Sequence, residues 1–217
     1  MSHHSYLILA FSPMTKFAPE VSLTPRKLPT QKRAAHTVAV ILEAAAHILD
    51  TEGFGGYSTN AIAAKAGVSI GSIYQYFGNK EGITLALIED ATERLMETIE
   101  AAAVHQNPRV ALDAMISAAV DHQLRRPQLA QLLDLEEKRL YKAMVRDDAV
   151  FTRLSEHVVR VVESLYGKHD DMNLFCSDIA TICRSLCDST GSRLRSRASL
   201  EDRVKKAVHG YLQEQMG

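Results

Sequence analysis

Residues 59–76, TNAIAAKAGVSIGSIYQY, constrain the fold more than any other part of the chain. They read as two short helices joined by a tight turn. Ala63 is small where the second helix must approach the first. Gly67 supplies the positive φ that the turn demands. Ile73 faces inward and locks the second helix onto the first, and Ile62, Ala66 and Val68 complete an apolar underside. The outward residues differ in kind: Thr59 and Asn60 open the first helix, and Ser69, Ser72, Gln75 and Tyr76 line the second. Hydroxyls and amides on a rigid helix pair are groups that contact phosphates and base edges.

The surrounding residues extend the pattern. Gly53-Phe54, Ser58-Thr59-Asn60, Ala66-Gly67-Val68-Ser69, Ile73-Tyr74-Gln75-Tyr76-Phe77 and Asn79-Lys80-Glu81 follow in order. In this respect 33–95 resembles the DNA-binding domain of TetR/AcrR-type regulators, with the helix-turn-helix at about 58–77. The ordered set is far more specific than a lone glycine motif. By that resemblance, Thr59, Tyr74, Tyr76 and Lys80 contact phosphates, Ile70, Gly71, Ser72 and Gln75 face base edges, and Asn60 sits where the family often reads a base; Ser58 and Ser69 complete the expected DNA-binding set. Gly71 permits close approach, Gln75 can pair bidentately with adenine, and Ile70 can meet a thymine methyl.

Helical periodicity runs through the rest. Val38, Ile41, Leu42, Ala45, Ile48 and Leu49 mark one face of a first helix over about 37–52, stopped by Gly53. Ser58, Ser69 and Asn79 are expected N-caps. The helix after Asn79 runs to about residue 105. Asn107-Pro108 opens a helix to about 125, and Pro127 opens a short one. Further helices are expected over 136–145, 149–166 and 171–195. Ser199 with Asp202 reads as a capping box for the last. No alternating strand appears. The expectation is an all-α chain of about nine helices: an N-terminal three-helix helix-turn-helix domain joined by a long helix to a C-terminal bundle, with 96–217 as the effector-binding and dimerisation region.

Charge is asymmetric. The chain has 217 residues and a net charge of −1, yet 24–37 carries Arg26, Lys27, Lys32 and Arg33 with no acid. Residues 1–32, rich in proline, read as a disordered basic extension, with Met14 as an alternative start. Its basic end is either a solvated linker or an arm for the minor groove. No apolar run approaches the roughly 18 residues of a membrane helix. Three clustered cysteines indicate no disulfide framework, and a reducing, cytoplasmic setting is expected.

The C-terminal half offers fewer signals. Cys176, Cys183 and Cys187 fall within about 40° of one another on a helix. Cys183, Cys187 and Gly191 form a small-residue stripe suited to close packing, in the core or at a dimer seam with Val204 and Val208. A thiol redox sensor is the sharper alternative. Met96, Met115, Ile116, Phe151, Phe175 and Ile179 supply an apolar interior that, by the resemblance, holds a small apolar or amphipathic effector. Methionines suit an adaptable pocket and a plain core alike. No nucleophile, metal or phosphate-loop signature occurs, so no cofactor and no catalytic set is expected. The reading is a non-enzymatic, dimeric, ligand-responsive transcriptional regulator on a double-stranded DNA operator. A bundle enzyme and a DNA-organising module without an effector are the other classes.

Overall fold

The computed structural model describes residues 32–140, 149–189 and 196–216. Among these, nine α-helices and no strand occur: α1 Lys32–Gly56, α2 Thr59–Ala66, α3 Ile70–Tyr76, α4 Lys80–Ala103, α5 Pro108–Arg125, α6 Pro127–Leu140, α7 Ala149–Tyr166, α8 Met172–Asp188 and α9 Arg197–Met216. The all-α expectation holds. None of these helices is long and apolar enough to cross a membrane.

Two apolar cores form. The first joins Ile41, Ala45 and Leu49 of α1 to Ile62 and Ala63 of α2, Ile73 of α3 and Ile83 and Leu87 of α4. Ile41, Leu49, Ile62, Ile73 and Ile83 are fully buried. Each contributes about 1.5–3 kcal/mol relative to exposure. The second core gathers Leu112, Met115 and Ile116 of α5, Val161 and Val162 of α7, Phe175 and Ile179 of α8, and Leu200, Val204, Val208 and Leu212 of α9. Helix α4 serves both: Leu87 and Ile88 lie in the first core and Ile99 in the second. Helix α6 also reaches back, because Leu133 lies in the first core with Leu129 and Leu132 packed against it.

Local chemistry explains most boundaries. Asn107 accepts from the Arg109 and Val110 amides at 2.9 and 3.3 Å, and Pro108 opens α5 where its missing N–H costs nothing. Asn79 caps α4 through the Gly82 amide at 2.8 Å.

Four boundaries differ from expectation. Helix α1 begins at Lys32, so Lys32 and Arg33 belong to the helix; residues 1–31 of the expected extension lie outside the described residues. Gly53 does break the helix, at φ 62°, ψ −159°, but helical pairing resumes to Gly56. Helix α6 is one helix of 14 residues, where the sequence suggests a short helix and a second from Glu136. Its apolar residues Leu129, Leu132 and Leu133 face one core, so nothing interrupts it. Helix α9 starts two residues before Ser199. Ser196 provides the cap instead, its oxygen accepting from the Ser199 amide at 3.2 Å, while Asp202 pairs with Lys206 at 2.7 Å.

Candidate nucleic-acid interface

Ser58 starts the site. It has extended backbone, φ −143° and ψ 155°, and its side chain accepts from the Ala61 amide at 3.2 Å. That cap opens α2 with Thr59 and Asn60 in its first turn. Gly67 ends α2 in the left-handed conformation, φ 66° and ψ 29°. Its N–H donates to the Ala64 carbonyl at 3.3 Å, and the Val68 N–H donates to Ala63 at 3.0 Å. This paired closure satisfies two carbonyls at the helix end and turns the chain sharply. Ser69 then caps α3, accepting from the Ser72 amide at 3.1 Å and sharing a 2.9 Å hydrogen bond with the Ser72 hydroxyl.

Helix α3 has only seven residues, too few to persist alone. Tertiary burial holds it: Ile73 is fully buried, Phe77 is buried at its end, and Tyr76 packs against the same core. The opposite face is open. Ile70 is 38% exposed and Tyr74 47%, and Ser69, Gly71 and Gln75 are exposed around them. Leaving a large apolar Ile70 in water beside polar neighbours forms a surface with both apolar and amide character. The Tyr74 hydroxyl lies 3.5 Å from Thr59 Oγ1, tying the start of α2 to α3. Asn60 and Lys80 are exposed on either side.

Two residues on this face run against helix stability. A Cβ at Gly71 would meet only Ser69 Oγ, at an ordinary 3.6 Å, so internal packing does not require glycine there. Glycine within a helix costs about 0.5–1 kcal/mol relative to alanine. Lys80 is the first residue of α4, where a cation opposes the helix dipole by about 0.3–1 kcal/mol.

Of the expected interface residues, Ser58, Asn60, Ser69, Ile70, Gly71, Tyr74, Gln75 and Lys80 are exposed, and Thr59, Ser72 and Tyr76 are half-buried. Ser58 and Ser69 use their oxygens as caps, and Tyr76 is half-buried, so these three serve the fold as well as the surface.

The other expected sites fall differently. Met115, Ile116, Phe175 and Ile179 are buried in the second core, and Met96 is fully buried. The side chain of Phe151 and all of Gly191 lie outside the described residues. Val204 and Val208 are 0% exposed within one chain, and Cys183 and Cys187 are buried in the same core. A side chain already buried in its own protomer has no surface to give a partner, so these four are interior residues. Burial pushes all three thiols up: Cys176 and Cys187 to about 11 and Cys183 to about 12, the last with help from Cys187. Such thiols are protonated near neutrality, which removes the reactivity a sensor requires.

A cavity of about 470 Å³ opens elsewhere, between α1, α4, α5 and α6. None of the residues expected to line an effector pocket lines it. Its polar residues include Glu43, Asp90, Arg94, His122, Arg125 and Arg126. Nothing in their sequence spacing singles them out, because the wall is assembled from four helices.

An exposed, twice-capped helix pair on a three-helix core, carried by a long helix into a second bundle, defines a helix-turn-helix protein with a separate helical region. Residues 41–87 match the family model described as bacterial regulatory proteins, tetR family. Over 128 residues the chain is 24% identical to the HTH-type transcriptional regulator BetI of Paraburkholderia xenovorans (strain LB400), covering 50% of this chain and 66% of BetI. The fold matches that of the TetR family transcriptional regulator PfmR from Thermus thermophilus, with a TM-score of 0.63 and 20% identity over 80% of this chain and 97% of that one. It also matches a bacterial regulatory protein in the tetR family from Rhodococcus RHA1, with a TM-score of 0.69 and 17% identity over 84% and 98%. Residues 41–87 thus match the N-terminal region of tetR-family bacterial regulatory proteins, and the chain shares the all-α fold of the TetR-family regulators it matches.

Proposed function

We propose that the protein is a ligand-responsive repressor that binds a pseudo-palindromic operator as a homodimer. The observation that carries the reading is the open face of α3, where Ile70, Gly71 and Gln75 project from a helix locked underneath by Ile73. Gln75 would read a base edge, and Lys80, Tyr74 and Thr59 would hold phosphates. Two such units would enter successive major grooves about one helical turn or more apart. A small effector would favour a conformation with the wrong spacing and release the DNA. Helix α4, shared by both cores, supports the coupling, and α6 adds a second connection through Leu133. No catalytic role is proposed.

The test is to select DNA from a random pool and compare variants on the selected sequence. Gln75→Ala should relax the preference at one base position, costing about 1–3 kcal/mol there. Lys80→Ala should weaken selected and random DNA by similar factors, because phosphate contacts carry no sequence information. An unchanged profile for Gln75→Ala would remove that residue from the readout. A selected site lacking a repeated half-site would remove the dimer.

A further inference from the structure

The cavity between α1, α4, α5 and α6 joins an apolar wall to a charged rim. Leu42 and Ala46 of α1, Leu87, Ala91 and Leu95 of α4, and Leu129 of α6 supply the apolar side. Its volume of about 470 Å³ lies inside the range of about 300–1,000 Å³ of small-molecule sites.

The lining holds three carboxylates, Glu43, Asp90 and Asp121, and three guanidiniums, Arg94, Arg125 and Arg126, but they do not pair off among themselves. Glu43 pairs with Arg126 at 2.5 Å, Asp90 pairs with Arg94, and Asp121 pairs with Arg197 from α9. Each of the three lining carboxylates therefore has a guanidinium. Arg125 also lines the cavity and has no ion-pair partner among the described residues. Beside it sits His122, half-buried in the same wall. Burial, then Arg125, Arg94 and Arg184, hold the imidazole below its usual range.

We propose that this cavity binds an amphipathic monocarboxylate, with Arg125 as the partner of the carboxylate and the apolar wall covering the hydrocarbon body. A cationic amphiphile would meet Arg125 unfavourably, and a neutral one would leave it unpaired. The location gives the ligand leverage. Arg126, at the junction of α5 and α6, ties to Glu43 of α1, and α6 itself is tied to α1 by the Leu129 N–H, which donates to Asp50 Oδ1 at 3.3 Å. Both ties flank the cavity, so an occupant bears directly on how α1 sits against α6. This site rests on the ligand-responsive reading for its consequence on DNA, though not for its binding chemistry.

The experiment is isothermal titration of the full chain with decanoate, 1-decanol and decyltrimethylammonium. Decanoate should bind, 1-decanol about tenfold or more weaker, and the ammonium not at all. Arg125→Gln should lower decanoate affinity about tenfold or more and leave 1-decanol unchanged. Arg125 is exposed and unpaired, so this variant should fold with an unchanged melting curve. Ala91→Phe, which fills the apolar side, should reduce the binding of both. Absence of decanoate binding, equal binding of decanoate and 1-decanol, or wild-type decanoate affinity in Arg125→Gln would each overturn the site. The same titrations are repeated with the selected DNA. If decanoate binds through Arg125 yet leaves DNA affinity unchanged, the site stands and the ligand-responsive reading falls.

Discussion

The Tyr57 hydroxyl and the Thr84 hydroxyl meet at 3.1 Å in the buried seam between the α1–α2 connection and α4. Thr84 Oγ1 donates its own proton to the Lys80 carbonyl at 3.0 Å, so Tyr57 is the donor in the pair. The bond fastens the segment leading into α2 to the helix that carries both cores. Burial drives the Tyr57 phenol well above its ordinary range, with the Thr84 hydrogen bond only partly opposing it.

The two halves of this pair should respond unequally. Tyr57→Phe removes one hydrogen bond and leaves Thr84 still bonded to Lys80. It should cost about 0.5–1.5 kcal/mol. Thr84→Val strands the buried Tyr57 donor and should cost about 1–3 kcal/mol. The double variant should be less destabilised than the sum. Denaturant midpoints measure all three, and additive losses would mean the hydroxyls do not interact.

Two glycines four residues apart should behave in opposite ways. Gly67→Ala forces a Cβ into the left-handed turn at φ 66° and should destabilise by about 1–2 kcal/mol. Gly71→Ala meets no obstacle and should stabilise the fold by up to about 1 kcal/mol. If α3 lies close to DNA, Gly71→Ala should still weaken binding to the selected sequence. A more stable variant with undiminished DNA affinity would show that Gly71 faces no close partner.

His122 should leave a mark on stability against pH. Its folded form holds the imidazole neutral below the ordinary 6.5, by burial and by Arg125, Arg94 and Arg184. The unfolded chain therefore takes up a proton first as pH falls. The stability associated with neutral His122 is complete above about pH 6.5 and is lost as the pH drops through the folded value. His122→Gln should flatten the stability profile below about pH 6.5. Parallel profiles for the two proteins would rule out this contribution.

The three thiols should be slow. With Cys183 at about 12 and its neighbours at about 11, the thiolate fraction at pH 8 is minor, and burial blocks access as well. A chromogenic disulfide reagent should react slowly with the native protein and rapidly with three thiols in denaturant. A native thiol that reacts within seconds would reopen a redox role.

The helix-turn-helix was legible in the sequence because its determinants are local. A serine cap, a glycine able to turn left-handed and an isoleucine at the right offset act within a few residues of one another, and all three appear in the structure as expected. The same holds for Asn79 and Asn107, whose caps need only the next turn of helix. Ser199 is a misleading cap signal because two serines stand three residues apart and either could cap; the packing of Leu200 into the second core accompanies a start at Arg197, capped by Ser196. The apolar spacing of α8 and α9 likewise identifies buried faces without saying what buries them, and Val204 and Val208 prove to be interior to one chain. Only the tertiary structure lays α6 against α1, matches Arg126 to Glu43 across 83 positions and leaves Arg125 beside a cavity with no ion-pair partner among the described residues. Such contacts depend on how four helices pack, and charged residues on a helix surface look the same in sequence whether they face water, a partner or a cavity.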